Sequence, residues 1–254
     1  MILASIPIYI LNLQSRTDRK EHMIKLMSQV GFTNYSFVIP ELADDVLITR
    51  LKESNVIAED NSDVNKYKAS HTVTYLKLLK EIPDERFIIV EDDITPTGAA
   101  SQVLNSLANT IESTPPDFDM IYLEYCHESC SFDTTPSDKL NDPLCAGAIL
   151  WNKASALKLV ADLKDESNNI DFWFQKRIKE GTLKAYGSYP PIFRQDNTFG
   201  SDLPINGLPL FLRRAIFSDK DRDCKQTGVV SVITKIGVGY LAYRVIKSMF
   251  KKAE

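Results

Sequence analysis

Ile88-Ile89-Val90-Glu91-Asp92-Asp93 decides how this chain is read. Three β-branched residues run straight into three carboxylates. Such an apolar run predicts a strand buried on both faces, as in a parallel sheet. Acids at the carboxyl end of that strand stand where open α/β sheets bind their ligands. Three like charges side by side repel unless a cation relieves them, and hard carboxylate oxygens suit Mg²⁺ or Mn²⁺ rather than a soft metal. The bland alternative is a solvated acidic turn; the buried strand leading into it favours the metal reading.

The segments around this strand alternate in type. Ile6 to Leu13 reads as a first strand, and Arg16 to Val30 as a helix with Met23, Leu26, Met27 and Val30 on one face and Gly31 as its stop. Further strands are expected at Tyr35–Ile39, Met120–Leu123 and Ala146–Trp151, and helices over 44–52, 64–82, 102–111, 154–163 and 172–178. Residues 55–63 read as a loop, and from Tyr186 to Leu210 glycine and proline thin out regular structure. This alternation predicts an α/β fold with a mainly parallel, Rossmann-like sheet flanked by helices. With 254 residues the chain can bury a sizeable core.

A net charge of −4 gives no reason to expect nucleic acid. The charge is uneven, however. Residues 228–254 carry Lys235, Arg244, Lys247, Lys251 and Lys252 against Glu254, a local +4 that leaves −8 on residues 1–227. The expected organisation is therefore an acidic body at 1–227 and a basic tail at 228–254. Within the tail, residues 240–252 form a basic amphipathic helix by pattern. Peripheral contact with an anionic membrane and docking on the protein's own domain both remain open for it.

Cys126, Cys130, Cys145 and Cys224 contain no Cys-x-x-Cys pair, and Cys126-His127-x-x-Cys130 matches no common zinc spacing. Ordinary reduced thiols and a cytoplasmic location are expected. The N-terminus lacks a basic n-region, and its apolar segment is too short to span a membrane. Gly237-Val238-Gly239-Tyr240-Leu241-Ala242 fits a dinucleotide fingerprint, but only twelve residues follow it, too few for the βαβ unit the motif needs.

Taken in order, several segments resemble glycosyltransferase family 25, which includes lipopolysaccharide and collagen galactosyltransferases. The opening Tyr9-Ile10-Leu11-Asn12-Leu13 with Arg16-Thr17-Asp18-Arg19 is similar, as are Ser70-His71, Glu91-Asp92-Asp93, Gly147-Ala148-Ile149-Leu150, Ala156-Leu157-Lys158-Leu159, Ile170-Asp171 and Pro191-Ile192-Phe193-Arg194-Gln195. The run Asn65-Lys66-Tyr67-Lys68-Ala69 departs from the family pattern before Ser-His, which leaves the donor sugar open.

The resemblance implies a GT-A fold and inverting transfer of a hexose, usually galactose, from a UDP-sugar to a glycan hydroxyl, with Mn²⁺ or Mg²⁺. It makes Asp93 the main metal ligand, with Glu91 beside it. Glu91 and Asp92 would hold ribose, the donor sugar or metal-bound water. Asn12, Ser70, His71 and Gln195 join the nucleotide-sugar site. Arg16 and Arg19 would contact the diphosphate, the alternative being a solvated helix face paired with Asp18 and Glu21. His71 has the alternative of a satisfied core histidine. Direct inversion needs a base for the acceptor hydroxyl. Asp171 is the first candidate and Glu124 the second, with helix N-capping as the bland role of Asp171. Trp173 and Tyr189 read as ordinary buried aromatics by default, with stacking on sugar faces as the alternative. The other classes considered are a nucleotidyltransferase and a catalytically silent nucleotide-sugar-binding protein.

Overall fold

The computed structural model describes residues 3–42, 44–53, 66–125, 128, 135–161 and 169–200. All of them belong to one compact unit built from Met1–Ser129 and Asp133–Pro204. The expected tail at 228–254, its 240–252 helix and the 55–63 loop lie outside the described residues. No helix among the described residues is long and apolar enough to cross a membrane.

In chain order the elements are β1 (Ile8–Leu11), α1 (Thr17–Val30), β2 (Tyr35–Val38), α2 (Asp45–Glu53), α3 (Lys66–Glu81), β3 (Arg86–Glu91), β4 (Ile94–Pro96), α4 (Val103–Ser113), β5 (Met120–Glu124), β6 (Asp138–Lys139), β7 (Ala148–Asn152), α5 (Lys153–Ala161), α6 (Ile170–Lys179), β8 (Ala185–Gly187) and β9 (Phe193–Gln195). A 7-stranded sheet has the order β2-β1-β3-β7-β5-β8-β6, and β4 pairs with β9 in a separate ribbon. β2, β1, β3, β5 and β8 run one way, while β7 and β6 run against them. The sheet is thus mainly parallel, as the sequence predicts, with β7 antiparallel at its centre.

The pleat sorts the central strands into two cores. Ile88 and Val90 of β3 join Ile8 and Ile10 of β1 in one cluster, covered by Met23, Leu26, Met27 and Val30 of α1 and by Val103 and Leu107 of α4. Each such aliphatic side chain contributes roughly 1.5–3 kcal/mol by leaving water. On the other face, Tyr75 of α3, Trp151 of β7 and Phe174 of α6 meet edge to face, and Trp151 Nε1 donates to the Tyr75 hydroxyl at 3.1 Å. This aromatic group fixes α3 and α6 against the sheet. Trp173 is 1% exposed, in keeping with the core role expected for it.

Gly31 ends α1 in the left-handed region at φ 89°, its N–H donating to Met27 O at 3.0 Å. The sequence reading is corrected at three points. Asp171 does not cap α6; Asn169 does, its side chain accepting from the Asp171 N–H at 3.2 Å. The stretch after Tyr186 holds strand structure in β8 and β9, each too short to show a period and defined by pairing with β5 and β4. Cys145 is disulfide-bonded, contrary to the expected reduced thiols; the other three cysteines lie outside the described residues.

Candidate active site

Parallel pairing sets Leu11 beside Glu91, so β1 and β3 end level with each other. Antiparallel pairing sets Ala148 beside Val90, so the segment entering β7 arrives at the same end. The Glu91 N–H donates to Gly147 O at 2.8 Å. β3 stops at Glu91, and Asp92 and Asp93 lie in the turn that follows. The turn, rather than strand alternation, therefore presents Asp93 beside Glu91.

These ends floor a cleft of about 250 Å³. Glu91, Asp92, Asp93 and Asp171 line it, together with Arg19, Ser70, His71 and Gln195. Residues that occupy neighbouring elements but were separated by up to 176 positions in sequence are thus brought to one place. Its remaining walls include Leu11, Leu13, Pro40, Tyr67 and Lys68, and Cys145, Ala146 and Asn169.

Asp92 is the most firmly held acid. Asn12 Nδ2 donates to Asp92 Oδ2 at 2.7 Å, and Arg19 donates to Asp92 Oδ1 at 2.6 Å. Asn12 does not line the cleft; it braces the motif and also donates to Arg16 O at 3.1 Å. Burial pushes the Asp92 carboxyl up, and Arg19 and Asn12 oppose that shift. Glu91 Oε1 lies 3.2 Å from His71 Nε2, a charge contact short of hydrogen-bond alignment. Burial works against both charged forms, yet Glu91 holds the imidazole above its ordinary range and His71 holds the Glu91 carboxyl below its own. Gln195, which lines the same cleft, also helps hold the Glu91 carboxyl down.

Asp93 and Asp171 differ from these two. Asp93 Oδ2 is 3.4 Å from Arg19, but its Oδ1 is buried with no hydrogen-bond partner among the described residues. Asp171 Oδ1 is in the same condition. Burial first, and the Glu91 charge second, push Asp93 up to about 7, with Arg19 opposing. The same two causes push Asp171 up to about 6, with His71 and Lys68 opposing. Carboxylate oxygens shielded from water without a donor are costly unless a cation or substrate meets them. An all-oxygen set of this kind fits a hard divalent cation. Among the described residues no group of three or more His, Cys, Asp or Glu side chains is arranged to hold a metal by itself.

Three other candidates are used differently. Arg16 lies outside the cleft lining; it pairs with Asp18 at 2.9 Å, as in the alternative to a diphosphate contact, but it is only 16% exposed and also donates to Phe199 O at 2.9 Å. Ser70 lines the cleft, but its hydroxyl donates to Glu41 O, and Thr74 Oγ1 accepts the Glu41 N–H at 2.8 Å. Together they pin the segment after β2 onto α3. Glu124 is fully buried, and its Oε2 accepts the Gly147 N–H at 3.2 Å. It does not line the cleft but braces the chain entering β7.

Sequence reasoning missed Tyr67, Lys68 and Asn169 as cleft residues. The first two belong to the run that departs from the family pattern, which was the available signal. Asn169 was visible only as a neighbour of Asp171.

No family model and no curated protein matches the sequence. Solved structures do resemble the fold loosely. The inositol-1-phosphate CTP transferase from T. maritima is 11% identical, with 87% of this chain and 95% of that one covered at a TM-score of 0.41. Mouse xyloside xylosyltransferase 1 is 10% identical over 78% and 85% of the two chains, at 0.40. A glycosyltransferase involved in glycosylation of the major capsid of PBCV-1 is 13% identical over 78% and 94%, also at 0.40. Likenesses of this size carry no conclusion about the chemistry of this chain.

Proposed function

We propose that this chain is a GT-A-type glycosyltransferase that moves a hexose from a UDP-sugar to a glycan hydroxyl with inversion, assisted by Mn²⁺ or Mg²⁺. Galactose is the donor sugar favoured by the resemblance to family 25. The observation that carries the reading is the convergence of Glu91, Asp92, Asp93 and Asp171 in one cleft, with buried oxygens on Asp93 and Asp171 that no described residue meets.

The order of strands supports one orientation for the donor. The ends of β2 and β1 contribute Pro40, Leu11 and Leu13, an apolar stretch suited to a nucleoside. The acids follow at the end of β3, and Ala146 and Asp171 lie beyond them. A sugar diphosphate laid along this line sets its phosphates at the acids and its hexose toward Asp171.

Asp93, with Glu91, would hold the cation through their carboxylate oxygens. When bound, it neutralises charge building on the departing diphosphate. The rest of the chemistry belongs to the chain. Asp171, ionised above about pH 6, takes the proton of the acceptor hydroxyl. The acceptor oxygen then bonds to the anomeric carbon as the carbon–oxygen bond to UDP breaks on the opposite face. His71 keeps Glu91 ionised, and Asn12 and Arg19 keep Asp92 in place.

The test is product analysis with Mn²⁺ and a panel of nucleotide sugars. Release of UDP with hydrolysis or transfer of one hexose supports the reading. Pyrophosphate release from a nucleoside triphosphate and sugar phosphate, or binding without turnover of any donor, contradicts it.

A further inference from the structure

Arg19 is 7% exposed, yet its guanidinium serves two separate parts of the molecule. One nitrogen is 2.6 Å from Asp92 Oδ1 and 3.4 Å from Asp93 Oδ2. The other donates to Gly200 O at 2.6 Å. Neighbouring residues hold the same segment. Arg16 donates to Phe199 O at 2.9 Å, and the His22 ring lies 4.8 Å from that of Phe199. Arg16, Arg19 and His22 are spaced by three, so one side of α1 receives this strap. The strap is also tied to the acidic turn, since the Asp196 N–H donates to Asp93 O. Residues 196–200 are therefore clasped between α1 and Asp93.

We propose that Arg19 is a positioning residue: it is the internal counter-cation of the acidic turn, it competes with a divalent cation for Asp93, and it transmits the outcome to the 196–200 strap. The proposal rests on the cation reading above. A guanidinium 3.4 Å from Asp93 lowers the potential that draws a second cation to that carboxylate. A bound divalent cation repels the guanidinium in turn. Asp92, with its shorter contact and Asn12 behind it, retains Arg19, so the contact that yields is the one to Asp93. A guanidinium is a rigid planar fork. Movement at one edge shifts the other edge, which holds Gly200 O. Arg19 thereby offsets the mutual repulsion of the acidic turn and sets how tightly that turn takes its cation.

The test uses the intact chain, Mn²⁺ alone, and the variants Arg19→Gln and Arg19→Lys. Calorimetric titration should give Arg19→Gln a Mn²⁺ affinity about tenfold above wild type, because a repelling unit charge is gone. Its Tm should also rise more on adding Mn²⁺ than that of wild type. Arg19→Lys keeps the charge, and its Mn²⁺ affinity should stay within about threefold of wild type. A compact ammonium cannot hold Asp92 and Gly200 O together, so hydrogen exchange over 196–200 should quicken in that variant. Saturating Mn²⁺ should quicken exchange over the same residues in the wild type, a reading that needs no variant to fold. Equal Mn²⁺ affinity in wild type and Arg19→Gln, or exchange over 196–200 that Mn²⁺ leaves unchanged, overturns this proposal alone. Failure of both proteins to bind Mn²⁺ overturns it together with the cation-assisted reaction.

Discussion

Glu128 and Asp93 are both acids held largely out of water, and they are treated in opposite ways. Glu128 is 6% exposed, and its two oxygens accept the N–H groups of Asn141 and Asp142 at 3.0–3.2 Å. Asp93 has one oxygen beside Arg19 at 3.4 Å and another that no described residue meets. Burial alone thus does not mark a functional acid. What separates the two is whether the chain supplies donors to the carboxylate. Where backbone N–H groups do so, the acid organises a turn. Where they do not, the charge is left for something that arrives from outside.

Asp171 belongs to the second kind, and it carries the largest expected effect. Asp171→Asn keeps the size of the side chain, and Asn169 still caps α6, but the proton acceptor is gone. Transfer should fall by roughly a hundredfold or more while donor affinity holds, as steady-state kinetics and calorimetry on one preparation can show. Transfer close to wild type would move the base elsewhere and break the contrast on its functional side.

The structural side is next in size. Glu128→Ala leaves the Asn141 and Asp142 N–H groups without their acceptor. Denaturant unfolding should show a loss of about 2–3 kcal/mol. UDP affinity of the folded variant should stay near wild type. Gly147→Ala attacks the related brace at Glu124, because the added Cβ would lie 2.6 Å from Glu124 Oε2. Overpacking there should cost about 1–3 kcal/mol, read from the same unfolding curves.

A smaller effect of opposite sign is expected from Asp93→Asn. The folded protein holds the Asp93 proton up to about pH 7, well above the ordinary value of 3.8. Between those values the folded state binds more proton than the unfolded state, so ionising Asp93 costs stability as pH rises. Removing that charge should raise Tm by about 3–6 °C at pH 8 in chelator, and change it little at pH 4. A Tm lowered at pH 8 would mean that Asp93 supports the fold as Glu128 does.

The sequence was most readable where the signal is local. The β3 run, the acids after it, the α1 stripe and the Gly31 stop each follow from a few adjacent residues. Pairings across the chain left no such trace. Arg19 is legible as a residue of the site and does line the cleft, but nothing local announces its partners Asp92 and Gly200, 73 and 181 residues away. Glu124 satisfied the same strand-end criterion as Glu91, yet Gly147 lies above it and claims its oxygen. Asp171 was legible as an acid at the head of a helix, though not that Asn169 takes over the cap. Three-residue strands such as β8 and β9 have no period to read; their neighbours define them.

Calorimetric titration of UDP into the wild-type chain, with Mn²⁺ and then with chelator, tests the central claim most directly. The acids of the cleft should repel a bare diphosphate and accept one that brings a cation. Binding that appears with Mn²⁺ and falls at least tenfold in chelator is the result predicted here. Equal affinity in both conditions, or no binding in either, would contradict it.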